Sequence, residues 1–235
     1  MTEQTGKAAA GGDPHQPYTG DVAVGGPPQT LELETLTVTK IAVGGMANNA
    51  YVVSCRASGA LVIVDAAAEA EALLALVGEL GHGALSAVVT THRHPDHWGA
   101  LAQVVQATGA RTYAGAADVA GIPVPTDVPL HHGDEVPIGD ASARVVALPG
   151  HTPGSIGLVL EASSRAPVVL SGDALFPGGI GRTTSPEEFT SAYDAAVREL
   201  FDVLPDPARI LPGHGRDSTL GAERPALPEW RARGW

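Results

Sequence analysis

Apolar and polar positions alternate from Leu31 to Val43 (Leu31, Leu33, then Leu36 and Val38), the period of a strand or hairpin arm. Gly44-Gly45 turns the chain. Asn48 to Val53 resumes a strand, and Ala60 to Asp65 gives another after a turn at Ser58-Gly59. Short continuous apolar runs of this kind suit strands buried on both faces. The period then changes. Leu73, Leu76, Val77 and Leu80 fall at helical spacing and predict a helix over 67–80, ended by Gly81 and Gly83. Ser86 to Val89 reads as a strand, Ala100 to Thr108 as a helix stopped by Gly109, and Arg111 to Tyr113 as a short strand.

Prolines and glycines make residues 114–129 a loop, one that would line a pocket. A strand pair is expected around 130–148, including Ala143 to Leu148, and further strands near 156–160 and 167–171. Ser185-Pro186-Glu187-Glu188 is a helix start, with Ser as N-cap and Glu three residues on. Phe189, Tyr193, Val197, Leu200 and Leu204 would form the buried stripe of that helix. Ala208 to Leu211 is the last strand, and the residues after His214 carry only scattered apolar positions, too few for another domain. Residues 1–30 are rich in Gly, Pro, Thr and Gln without a sustained period, so they are expected to be a disordered or loosely attached arm. Residues 31–235 would form one domain of the α/β class.

Composition narrows the function. Hydrophobic residues make up 44% of the 235, enough for a sizeable core, but aromatics are only 4%, so Ala, Val and Leu must fill it. The formal net charge of -12 repels phosphate backbones, which excludes nucleic acid as a partner. Cys55 is the only cysteine: it permits neither an internal disulfide nor a thiolate cluster, and its apolar neighbours predict a buried, inert thiol. No stretch reads as a signal-peptide core or a bilayer span, so a cytoplasmic protein without membrane attachment is expected.

The candidate chemistry sits at strand ends. Thr90-Thr91-His92-Arg93-His94-Pro95-Asp96-His97 follows an apolar strand and packs three histidines and an aspartate together. Imidazole nitrogen and carboxylate oxygen are the ligands that zinc or ferrous iron prefers. Three later loops repeat one grammar: an apolar strand, a turn of small residues, then one ligand-type side chain. They present His151 (Pro149-Gly150-His151), Asp173 (Ser171-Gly172-Asp173) and His214 (Pro212-Gly213-His214-Gly215). A lone His beside such a turn is more often a capped surface residue than a ligand. Five of nine histidines in four strand-end loops are a different matter. His15 and His82 are read as stray exposed residues, and His131 and His132 as hairpin residues outside any ligand motif.

This ordered set of motifs, from about Leu31 to His214, resembles the metallo-β-lactamase fold superfamily, a four-layer αββα sandwich with its metal site on one edge of two facing sheets. The resemblance implies two divalent metal ions, zinc first, with iron or a zinc/iron pair as alternatives. His92, His94 and His151 would hold one, Asp96, His97 and His214 the other, and Asp173 would bridge them. Within the superfamily, Gly172-Asp173-Ala174-Leu175-Phe176-Pro177-Gly178-Gly179-Ile180-Gly181-Arg182-Thr183 and Asn49-Ala50-Tyr51 are similar to stretches of the glyoxalase II-like (hydroxyacylglutathione hydrolase-like) branch. That branch carries a helical C-terminal extension where about 20 residues follow His214 here, and Thr184 stands where an Asp often follows, so the resemblance leaves the thiol carrier open.

The expected activity is a metallo-hydrolase cleaving the thioester of a small thiol by attack of a metal-bridging hydroxide, with Asp96 as the catalytic carboxylate that orients it. The partner would be that small molecule, with a homo-oligomer as a further expectation. The rivals are a mono-iron, persulfide dioxygenase-like oxygenase on His92, His151 and Asp173, and a lactone hydrolase on the same fold. Asp65 would serve either as a brace for a histidine tautomer or as the N-cap of the helix at 67–80. Tyr51 would face the pocket or the core, and Arg182 would brace the loop of Asp173 or form a surface salt bridge.

Overall fold

The apolar runs around Val52 and Ile63 pair as neighbouring strands inside a seven-stranded sheet. The structure, a computed structural model, describes residues 18–81, 84–161 and 165–234. In the first sheet β1 (Gln29–Glu32), β2 (Leu36–Val43), β3 (Asn48–Cys55) and β4 (Leu61–Val64) pair antiparallel in succession. To these β5 (Leu85–Thr90), β6 (Arg111–Gly115) and β7 (Val128–Leu130) are added in parallel. The second sheet begins with β8 (Glu135–Ile138), β9 (Ala141–Ala147), β10 (Ile156–Leu160) and β11 (Val168–Gly172), all antiparallel neighbours. A small ribbon, β12 (Leu175–Phe176) and β13 (Gly179–Ile180), follows. Then β14 (Arg209–Pro212) joins β11 in parallel, and β15 (Ser218–Thr219) closes that side.

Successive side chains of a strand point to opposite faces, so each sheet serves two apolar clusters. Tyr51, Val53, Val62 and Val89 meet Val145, Leu158, Leu170 and Leu211 between the sheets. On the outer face of the first sheet, Val52, Ile63 and Val88 pack on Leu73 and Leu76 of α1 (Ala70–Leu80) and Leu101 and Val104 of α2 (Leu101–Thr108). On the outer face of the second, Val146, Val159 and Ile210 pack on Phe189 and Tyr193 of α3 (Pro186–Ala196). After α4 (Leu220–Glu223), Trp230 of α5 (Leu227–Arg233) joins that cluster. The layers are therefore α, β, β, α, the architecture expected from the sequence.

Several local expectations change. The first helix starts at Ala70 rather than 67, because Asp65 and Glu69 take left-handed φ values of 59° and 54° and the chain between them turns. The helix from Ser185 is α-helical to Ala196 and then widens into a π turn over Val197–Phe201. The stretch 114–129 holds a short 3-10 turn (Val119–Gly121) and the start of β7. The expected boundary at residue 31 falls inside β1. Residues ahead of it are tied down: the Tyr18 hydroxyl donates to Asp217 at 2.6 Å, and Thr19 N donates to Gln29. Residues 1–17 of the expected arm, with His15, lie outside the described residues, as does His82. Cys55 is buried as expected, but hydrogen bonds from Ser58 hold its thiol down at about 7, the opposite of what burial does to an inert thiol. Among the described residues no helix is long and apolar enough to cross a membrane.

Candidate metal centre

Strand direction gathers the loops. β9 and β11 both run antiparallel to β10, and β14 is parallel to β11, so the three share one direction. The loops at their carboxyl ends, carrying His151, Asp173 and His214, therefore open at one edge. In the first sheet β4 and β5 are parallel, which sets Asp65 beside the loop of His92 to His97. Backbone bonds between the sheets bring the two edges together: Asn49 N donates to Gly213 O at 2.7 Å, and Ile156 N to Thr91 O at 3.0 Å. Gly213 lets this happen. A Cβ there would lie 2.6 Å from His97 Cε1 and overlap Asp173 Oδ1.

All seven expected side chains converge. His94 Nδ1 lies 3.1 Å from His92 Nε2 and 2.9 Å from His151 Nε2. His97 Nε2 stands 3.4 Å from Asp96 Oδ2 and 3.3 Å from Asp173 Oδ1. His214 Nε2 is 3.2 Å from Asp96 Oδ2. Asp173 lies between the two sets, its Oδ2 being 3.7 Å from His151 Nε2 and 3.6 Å from His214 Nε2. Ligand atoms within each of the triplets His92/His94/His151, His92/His97/Asp173 and Asp96/His97/His214 lie within 4.8 Å of one another.

The ring protons can be placed from the outer partners. Carbonyl oxygens only accept, so His151 Nδ1 donates to Arg182 O at 2.7 Å and His214 Nδ1 to Met46 O at 3.0 Å. Thr91 spends its hydroxyl proton on Asp65 Oδ2 at 2.8 Å, so its oxygen accepts from His92 Nδ1 at 3.1 Å. His97 Nδ1 donates to Asp65 Oδ2 at 2.8 Å. In each of these four rings Nδ1 carries its proton outward and Nε2 faces the site, the orientation a metal ligand needs; His97, charged beside Asp65 and Asp173, offers Nε2 to a cation only as that nitrogen gives up its proton. His94 alone turns its Nδ1 inward.

Burial and the neighbouring imidazoles hold His92 well below the usual histidine range, and burial with His151 lowers His94. Burial opposes charge on His97, yet Asp65 and Asp173 outweigh it and push its pKa up to about 10. Burial likewise opposes charge on Asp96, but the hydrogen bond from Asn48 (2.8 Å to Oδ2) and the charge of His97 hold its carboxyl below the usual value. His97 Nε2 and Asp173 Oδ1 are buried without any hydrogen-bond partner. Orphaned atoms of this kind are costly unless something coordinates them. Convergent lone pairs, carboxylates between them and two orphaned ligand atoms fit divalent cations.

The structure settles the choices left open around the site. Asp65 is a brace, not a helix cap: it is buried, accepts from Thr91 N at 2.7 Å and faces His97. Tyr51 lies in the core between the sheets, and its hydroxyl donates to Pro212 O below the His214 loop. Arg182 is exposed, and what it contributes is its backbone carbonyl, which accepts from His151 rather than bracing the loop of Asp173 with the side chain. His132 faces Glu199 at 3.6 Å, and both His131 and His132 are exposed. Two contributors escaped sequence reasoning. Asn48 orders Asp96. Asp118, fully buried, accepts from Arg93 N (2.9 Å), Gly154 N (2.9 Å) and the Thr152 hydroxyl, and so clamps the loop of His94 to that of His151. The only sequence signal for Asp118 was an acidic residue in an otherwise small-residue stretch.

Comparison with known proteins agrees with this geometry. Residues 43–214 match the family model of the Metallo-beta-lactamase superfamily. A hydroxyacylglutathione hydrolase from Fuscovulum blasticum is 37% identical over 167 residues, 71% of this chain and 62% of the relative, so the chain spans under two thirds of that protein's length. Among solved structures, the BLEG-1 B3 metallo-beta-lactamase is 28% identical with a TM-score of 0.69, over 82% of this chain and 99% of that one. ETHE1 from Myxococcus xanthus is 27% identical with a TM-score of 0.70, over 83% and 84%. With the ligand loops in register and the family model spanning them, the chain belongs to the metallo-β-lactamase superfamily.

Proposed function

We propose that this chain is a metal-dependent hydrolase that cleaves a thioester of a small thiol. The observation that carries the proposal is the convergence of seven His and Asp side chains whose ligand atoms face one another, with the Nδ1 protons of four of the five histidines turned outward. The likeness to a hydroxyacylglutathione hydrolase supports the substrate class. We assign His92, His94 and His151 to one divalent ion, Asp96, His97 and His214 to a second, and Asp173 to both; zinc, iron or a mixed pair would suit these donors. When bound, such ions supply a Lewis acid for the substrate carbonyl and a water whose pKa falls toward ~7.

The chain's own residues do the rest. Asp96 stays anionic through its bond from Asn48 and is placed to hold the attacking water by a hydrogen bond. Burial and the neighbouring imidazoles disfavour protons on His92 and His94, which favours the lone pairs they offer to a cation. A thiolate departs readily, so a thioester needs less help from an acid than an amide does.

A second reading, a persulfide oxygenase with one ferrous ion on His92, His151 and Asp173, is favoured by the approach of His151 to Asp173 and the likeness to ETHE1. Elemental analysis of protein purified without added metal, followed by rates on a thioester, a lactone and a persulfide, separates them. Two divalent ions per chain and thioester turnover are expected. One iron per chain with oxygen consumption on the persulfide would overturn the hydrolase, and a lactone preferred over every thioester would overturn the substrate class.

A further inference from the structure

The side chain of Lys40, on β2, is fully buried, and each of its three ammonium protons has an acceptor. Nζ donates to Gly20 O at 2.8 Å, to Gly215 O at 2.8 Å and to Asp217 Oδ1 at 2.7 Å. Gly215 directly follows His214. The other oxygen of Asp217 accepts the Tyr18 hydroxyl at 2.6 Å, and Asp217 N donates to Gly20 O at 3.1 Å. Gly20 itself has φ +76°, and a Cβ there would lie 2.8 Å from Asp217 Cβ. Segments 199 residues apart in sequence thus share one buried ammonium.

A buried lysine is an expensive way to hold two segments together, and apolar packing would be at least as stabilising. What the ammonium adds is position, since three directional bonds fix three groups relative to one another. The loop it fixes needs that help. His214 lies between Gly213 and Gly215, the latter at φ +71°, and neither glycine has a side chain with which to anchor the turn. Asn49 and Tyr51 hold Pro212 O from below, and Asn49 also reaches Gly215 O. Met46 O holds the His214 ring itself, and just past Gly215 the side chains of Lys40 and Tyr18 anchor the turn through Asp217.

We infer that Lys40 and the Tyr18–Gly20 segment are the positioning device for His214, fixing where its Nε2 stands relative to Asp96 and Asp173. The consequence for metal rests on the two-ion reading above: the device sets the affinity of the Asp96/His97/His214 half of the centre and leaves the His92/His94/His151 half alone.

The test uses the full chain as wild type, Lys40→Met and Tyr18→Phe, with two readouts. Zinc is titrated against a chromogenic chelator, and amide hydrogen exchange is followed on metal-free protein. Lys40→Met is expected to weaken the second zinc equivalent by about 10–100-fold, the range for loss of an outer partner, with the first unchanged. Tyr18→Phe should weaken it several-fold. In both, exchange protection should fall over residues 213–217 and persist over 88–98. Equal weakening of both equivalents, or no weakening of either, would overturn the inference. If Lys40→Met does not fold, Tyr18→Phe decides: wild-type second-site affinity and wild-type protection at 213–217 would sink it. If wild type takes up one zinc only, the two-ion reading fails, while selective loosening of 213–217 in the variants would still uphold the positioning role.

Discussion

Asp65 Oδ2 lies 2.8 Å from His97 Nδ1, both side chains are buried, and Asp65 holds the left-handed backbone that aims it there. One carboxylate thereby fixes the proton of His97 on the outer nitrogen and, through Thr91, that of His92 as well. Asp65→Asn keeps the shape but can set an amide N–H against His97 Nδ1, which forces the ring proton onto Nε2. Metal affinity is expected to fall by about 10–100-fold. A zinc titration on folded Asp65→Asn that matched wild type would show that tautomer control is not the role of this contact.

Asp118 should matter for both stability and metal. Its loss in Asp118→Ala strands Gly154 N in a buried place and Arg93 N in a half-buried one, and leaves the Thr152 hydroxyl only Ser155 Oγ as partner. Unmade buried bonds of this kind cost about 1–3 kcal/mol each, so a destabilisation of about 2–5 kcal/mol is expected in urea unfolding. Asp118→Asn keeps one acceptor oxygen and should lose less. A loss under about 0.5 kcal/mol for the alanine variant, the range of a neutral surface change, would contradict the clamp.

Gly213→Ala tests how tightly the site is drawn. The added methyl meets His97 and Asp173 and not a strained backbone, since φ at Gly213 is not positive. Turnover is expected to fall by about 100-fold, the scale of a misplacement near 1 Å. Bound metal measured on the same sample should fall with it.

The start of α3 carries a pH dependence. Hydrogen bonds from the Thr184 hydroxyl and backbone to Glu188, at 2.7 Å each, hold that carboxyl below its ordinary 4.5. A depressed carboxyl contributes stability that is full above the unfolded value and is lost as pH falls through the folded one. The melting temperature of wild type should therefore exceed that of Glu188→Gln at pH 7, and the difference should shrink below about pH 4. A difference independent of pH would mean that these bonds do not depend on the charge.

Much of this molecule was legible along the chain. Apolar runs at Val52-Val53 and Ile63-Val64 declared strands buried on both faces, the helical spacing of Leu73 and Leu76 declared a covering helix, and glycine turns after strands marked where ligand-type side chains stand. Those signals are local: backbone period and turn chemistry depend on near neighbours, and residue identity alone says which atoms can bind a cation. Only the tertiary structure decided that Asp65 turns toward His97 and away from its helix, that Asp118 clamps two ligand loops, and that residues near Tyr18 are bound to the turn after His214. Each of those roles depends on where a side chain points and on a partner tens to hundreds of residues away. Sequence order carries no record of such proximity; it arises when parallel strand directions bring distant loops to one edge.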